Sequence, residues 1–211
     1  MGVNPEKDAL RKARTRQKII ETGFRVFAER TIDAVNLTDI ARAAGLCITT
    51  VYSYFSSKEA LVMEISVWAW RQYINENVRT TDRSDRTAAV AFDGYLESFI
   101  DLYRNHKDIL RFNQFFNAYV QRESVGSETM RPFLNMVDVL ARRFHTIYER
   151  AQRDGSLRTD VSEAEMFSRT LHLMLAIVTR YAVGLVYDNG GDPEAELQFA
   201  KELLMQAYLS K

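Results

Sequence analysis

Proline occurs three times in the 211 residues, glycine nine times and cysteine once. So few breakers leave almost nowhere for a helix to be forced to stop, and this excludes an architecture of many short strands and turns. The single Cys47 excludes an intramolecular disulfide. Nothing resembling a leader precedes the first charged segment, so a reducing, cytoplasmic setting is expected. An excess of one sign of charge is also lacking: Lys plus Arg and Asp plus Glu are 28 each. Bulk attraction to a polyanion or an acidic membrane is thereby excluded, and any electrostatic argument must be local. No membrane is expected as a partner, because Arg169, His172 and Arg180 interrupt the most apolar stretch short of a span of about 20 residues. The three histidines, His106, His145 and His172, are scattered, and no H-x-x-x-H, C-x-x-C, Gly-rich phosphate loop or G-x-S-x-G elbow accompanies them. No metal, no cofactor and no catalytic residues are expected, and the chain does not read as an enzyme.

What is there is ordinary globular material, 46% hydrophobic and 27% charged, with apolar residues recurring at helical spacing. The expectation is an all-α fold of nine helices. The first runs over 7–29, with Ile19, Ile20, Phe24 and Phe27 on one side. Asn36 caps a short second helix over 37–44, which Gly45 stops; a third covers 48–54. Ser56 with Glu59 reads as the capping box of a long fourth helix to about Thr80. The fifth is expected over 83–105 and the sixth over 106–122, followed by a loop over 123–130. A seventh helix has Pro132 in its first turn and ends at Gly155. Ser162 and Glu165 open an eighth helix reaching Tyr187, and Asp192 with Pro193 opens the ninth.

Charge is distributed unevenly. Residues 1–30 hold eight Lys/Arg (Lys7, Arg11, Lys12, Arg14, Arg16, Lys18, Arg25, Arg30) against four acids, so the amino end is +4 and the remainder −4. Just beyond lies LTDIARAAGLCITTVYSYFSSKEAL, residues 37–61. It reads as two short helices joined by a tight Gly turn, with Ile40, Ala41, Ala44, Leu46, Val51 and Phe55 forming an apolar wedge. Ile48, Thr49, Thr50, Tyr52, Ser53 and Tyr54 remain for the outer face, with no acid among them to repel phosphate. This is a helix-turn-helix pattern, whose second helix enters a major groove. Arg14 and Arg16, just before it, are placed to approach the DNA backbone. Tyr52 and Tyr54 have a second reading, packing on the first helix.

Residues 13–61 resemble the DNA-binding domain of the TetR (tetracycline-repressor) family, down to the closing YSYFSSKEAL run. The resemblance implies a division into a DNA-binding domain, 1–57, and a ligand-binding and dimerisation domain, 58–211. It puts Ile48, Thr49 and Tyr52 on base edges and Asn36, Thr38, Thr50, Tyr54 and Lys58 on phosphates of double-stranded DNA. Hydroxyls, a Lys and methyl groups suit those tasks. Cys47 replaces the more usual hydroxyl N-cap, so that cap is expected to be weak. The family further implies a homodimer that reads a palindromic operator and a small-molecule effector that releases it, a repressor being expected.

Residues 92–148 hold eleven aromatics. Each can be plain core, or the middle helices can enclose a lipophilic pocket; the pocket candidates are Phe99, Tyr103, Phe112, Phe116, Asn117, Phe144, His145, Tyr148 and His172. The eighth helix is apolar all round its axis and must pack on more than its own domain. Leu171, Met174, Val178, Tyr181 and Leu185, with Leu197, Leu204 and Tyr208 of the ninth, are therefore assigned to a dimer interface of four helices. The rival reading is an all-helical small-molecule-binding protein or enzyme without a DNA-binding role.

Overall fold

The computed structural model describes residues 5–81, 86–184 and 191–210. Among them are nine helices: α1 Pro5–Glu29, α2 Leu37–Ala44, α3 Ile48–Tyr54, α4 Lys58–Thr81, α5 Ala88–Asn105, α6 Lys107–Glu123, α7 Ser127–Asp154, α8 Glu163–Ala182 and α9 Pro193–Tyr208. The described extended backbone is limited to an isolated antiparallel bridge between Leu157 and Leu209.

Two sets of local signals stand where expected: Asn36 and Gly45 bound α2, and Asp192 with Pro193 opens α9. Several other boundaries differ from those expected. The cap of α4 is Ser57, whose Oγ accepts from the Ala60 N–H at 3.1 Å; the box read from Ser56 and Glu59 is one residue out of register. Helix α5 starts at Ala88 rather than Arg83, a residue outside the described ones. Its first N–H groups, on Ala88 and Ala89, donate to the Asp154 carboxylate at 2.7 Å and to Ser156 Oγ at 2.9 Å. Helix α7 begins at Ser127, inside the stretch expected to be a loop, so Pro132 stands in its second turn and removes one interior hydrogen bond. Helix α8 stops at Ala182 rather than continuing towards Tyr187. Gly184 follows at φ 75°, the left-handed conformation that ends helices, and residues 185–190 lie outside the described ones.

The chain forms two compact units. The first runs to Arg71 and takes in Phe112–Phe133; the second takes Gln72–Arg111 and the chain from Leu134 onward. In the first, Ile19, Ile20, Phe27, Ile40, Val51, Leu61 and Ile65 are buried together. Phe24 of α1 meets Trp68 of α4 and Phe112 of α6 at ring separations of 5.5 and 5.6 Å. Gly23 lets α1 and α4 approach closely, since a Cβ there would lie 2.7 Å from Ile65 Cδ1. Asn113, buried, accepts from Trp70 Nε1 at 3.2 Å. In the second unit α5, α8 and α9 pack on one another. Phe92 stands edge-on to Phe144 and Tyr208, and Lys201 of α9 reaches Asp93 and Glu97 of α5 at 3.0 and 2.9 Å.

Candidate functional site

The helix pair α2–α3 is fixed by local chemistry. Asp39 N–H donates to Asn36 Oδ1 at 2.9 Å while Asn36 N–H donates to Asp39 Oδ2 at 3.1 Å, a reciprocal capping box. Gly45, at φ 63°, turns the chain so that its own N–H and that of Leu46 satisfy the carbonyls of Arg42 and Ala41. Cys47 caps α3 with no side-chain hydrogen bond, as its thiol led us to expect. Val51, fully buried, and Phe55 then lock one side of α3 into the core.

That locking leaves Thr49, Tyr52 and Ser53 exposed, Tyr52 to 55%, and Ile48, Thr50 and Tyr54 half-buried. Tyr52 therefore does not pack as core. The Ser53 hydroxyl is occupied, donating to the Thr50 carbonyl at 2.7 Å. No acid lies on α3; the nearest in sequence are Glu59, just past its end, and Asp39, which is held in the capping box and paired with Arg42 at 3.4 Å. Asn36 and Thr38 are exposed at the start of α2. Lys58, half-buried, has its ammonium 5.8 Å from the Tyr119 ring centroid. Burial lowers its pKa from the ordinary lysine value, with the Asp33 carboxylate opposing.

Arg14 is exposed, whereas Arg16 is engaged within the unit: it pairs with Glu64 of α4 at 3.0 Å and lies over the Phe55 ring at 5.2 Å. Sequence reasoning missed this brace, because Arg16 and Glu64 are 48 positions apart and no local pattern joins them. It also missed that α6 supports the head through Tyr119 and through an ion pair from Arg122 to Asp33.

The nine pocket candidates divide between the two units. Phe112 and Phe116 stack in the first unit, where Asn117 is exposed. Phe99, Phe144 and Tyr148 are buried in the second, and Tyr103 is half-buried. His145 and His172 are exposed, His145 pairing with Glu163 at 2.9 Å. Three buried polar atoms have no hydrogen-bond partner among the described residues: Trp68 Nε1, Tyr95 Oη and Thr170 Oγ1. The last two belong to the second unit. Tyr95 meets Phe99 and Phe144 at 5.3 and 5.6 Å, and Phe144 meets Phe167, one turn before Thr170.

The dimer assignment needs correcting. Met174, Val178, Leu197, Leu204 and Tyr208 are sealed in the chain's own core at 6% exposure or less, so they have no surface to offer a partner. Leu171 and Tyr181 are half-buried, and Leu185 lies outside the described residues. The open apolar side chains of the same two helices are Leu173, Phe199 and Leu203. Among the described residues no group of acids, His or Cys is arranged to hold a metal, and no helix is long and apolar enough to cross a membrane.

Residues 19–65 match the family described as bacterial regulatory proteins, tetR family. The chain is 23% identical over 181 residues to the uncharacterized HTH-type transcriptional regulator YvdT of Bacillus subtilis, covering 72% of this chain and 91% of that protein. It is 38% identical over 61 residues to the HTH-type transcriptional repressor KstR2 of Rhodococcus jostii, a match spanning 29% of this chain and 30% of the repressor. Its fold is similar to the crystal structure of FadR from Bacillus subtilis in complex with stearoyl-CoA, with a TM-score of 0.71 at 18% identity, covering 90% of this chain and 97% of the other. Residues 19–65 thus form a DNA-binding domain of the tetR family of bacterial regulatory proteins, and the fold of the chain is similar to that of TetR-family regulators.

Proposed function

We propose that the chain is a homodimeric, ligand-responsive repressor: two copies read the half-sites of a palindromic operator until a small lipophilic or aromatic inducer releases them. The observation that carries this reading is the exposure of Thr49 and Tyr52 on a helix whose other side Val51 and Phe55 hold rigid. Residues 1–57 serve as the DNA-reading domain and 58–211 as the ligand and dimer domain, with α4 to Arg71 and Phe112–Phe133 bracing the head. Ile48, Thr49 and Tyr52 meet base edges; Asn36, Thr38, Thr50, Tyr54, Lys58 and Arg14 hold phosphates. Arg16 joins them only by exchanging Glu64 for a phosphate.

The inducer occupies the aromatic interior of the second unit. A buried hydroxyl without a partner costs about 1–3 kcal/mol, so Tyr95 and Thr170 favour a lipophilic ligand that carries a hydrogen-bond acceptor. The complex of FadR with stearoyl-CoA shows a long-chain acyl thioester bound by a protein of this fold. Release requires the inducer to bind the non-DNA form more tightly, by about 1–3 kcal/mol for useful coupling.

The deciding experiment is DNA binding over a salt series, by wild type and by the triple variant Thr49→Ala, Tyr52→Ala, Lys58→Ala. For the wild type, log K should fall against log salt with a slope near −0.9 per phosphate contact. Absence of binding at low salt across a random-sequence pool overturns the reading. Undiminished function of the triple variant favours the rival, a small-molecule-binding protein or enzyme that does not use DNA.

A further inference from the structure

Helix α1 runs for fourteen residues before its first fully buried side chain, Ile19. Its packed face carries Ile20, Gly23, Phe24 and Phe27. At 100° per residue, Arg16 falls on that same side, which is why it is spent internally on Glu64 and Phe55. Lys7, Arg11, Arg14, Lys18 and Arg25 fall instead within about 60° of arc on the opposite side; Glu29 shares that arc beside Arg25 and Glu21 lies at its edge, so the stretch of the arc without acids is Lys7 to Lys18. All five are exposed. Arg14, Lys18 and Arg25 make no ion pair among the described residues, and Arg11 shares Asp8 with Lys12 in a solvent-exposed pair that gives way easily.

A solvated helix face ordinarily interleaves acids at i,i+4. Here Lys7 and Arg11, and again Arg14 and Lys18, are like-charged i,i+4 pairs, an arrangement that destabilises an isolated helix. The Arg11–Arg14 spacing of three adds a further repulsion. The stripe is thus unfavourable in the free protein and becomes favourable only against a polyanion. From Lys7 to Lys18 it extends about 16 Å, close to the rise of five base pairs along one strand.

Resting on the DNA-binding reading, we infer that the outer stripe of α1 is a second phosphate track, gripping duplex that flanks the half-site read by α3, without regard to its sequence. The half-site contacts of α3 set preference, and the stripe adds affinity and salt dependence in proportion to the flanking duplex.

The test uses the full chain and sites selected by the wild type from random duplexes. Each site is prepared as a duplex ending at the half-sites and as one extended by about ten base pairs on both sides, a full turn. For wild type, lengthening should steepen the salt slope by about 0.9 for each flanking phosphate engaged. In the variant Lys7→Gln, Arg11→Gln, Lys18→Gln, which leaves Arg14 to its half-site phosphate, that gain should vanish while sequence preference is unchanged; Gln is a good helix former, so α1 is retained. Asp8→Asn is the complementary variant: freeing Arg11 and Lys12 should increase the gain on lengthening. A Lys7, Arg11, Lys18 variant that keeps the length-dependent slope, or an Asp8→Asn variant that loses it, overturns the inference. A Thr49→Ala, Tyr52→Ala variant with intact site preference would instead sink the α3 reading, leaving the two failures distinguishable.

Discussion

In the proposed complex Thr49 and Lys58 meet DNA in different chemical roles, and their truncations should separate cleanly. Thr49 is exposed on α3 and offers one methyl and one hydroxyl to a base edge, so Thr49→Ala should change preference at one base pair by about 1–3 kcal/mol. Lys58 offers a point charge, so Lys58→Ala should weaken binding to every sequence and lower the salt slope by about one. Equal loss on all sequences from both variants would contradict the assignment. His145 gives a prediction far from DNA. The Glu163 carboxylate, with help from Glu149, raises its imidazole above 6.5. A folded pKa above the unfolded one means that the pair stabilises fully below about 6.5 and loses this contribution as pH rises through the folded value. An NMR titration should find His145 titrating above 6.5 in wild type and nearer to it in Glu163→Gln.

The turn between α2 and α3 depends on one backbone conformation, so its stability can be tested through a single Cβ. Gly45 sits at φ 63° with nothing within 4 Å of where a Cβ would stand. The cost of Gly45→Ala is therefore conformational alone, about 1–2 kcal/mol, and a melting curve should fall by roughly 2–8 °C for a chain of this size. The same turn explains what the sequence made legible. Asn36, Asp39, Gly45, Asp192 and Pro193 act on neighbours within four positions, so α2 and the start of α9 could be read directly. So could Thr49, Tyr52 and Ser53 on the open side of α3, because Val51 and Phe55 fix which side is inward, whereas Ile48, Thr50 and Tyr54 of the expected outer set are half-buried. The start of α5 was misplaced although Thr87 caps it locally, its hydroxyl accepting from the Val90 N–H; Asp154 and Ser156, which accept from Ala88 and Ala89, stand 66 and 67 positions away. The engagement of Arg16 could not be read, since its partner lies on another helix.

Periodicity identifies an apolar helix face but not which neighbour covers it, and this is why the dimer surface was misplaced on residues such as Met174 and Leu197 that serve the chain's own core. Their burial shifts the assignment to Leu173 of α8 and Phe199 and Leu203 of α9, exposed at 59%, 61% and 50%. Helices α8 and α9 pack together within the second unit, so all three lie on paired elements. Across a two-fold axis each side chain counts twice. In the proposed homodimer these side chains can bury only the 50–61% of themselves that is open, so the six contribute about 5–10 kcal/mol, comparable with an association cost of about 4–15 kcal/mol. Phe199→Glu with Leu203→Glu would remove four of the six and place like charges near the dyad. The dissociation constant of the proposed dimer should rise by at least about two powers of ten, from some 3 kcal/mol of lost burial. Sedimentation should then show a monomer at micromolar concentration with unchanged helix content. The same variant should bind single half-sites as the wild type does while losing the extra affinity for two half-sites one turn apart. A double-Glu variant that stays dimeric would place the symmetry axis on another face of the molecule.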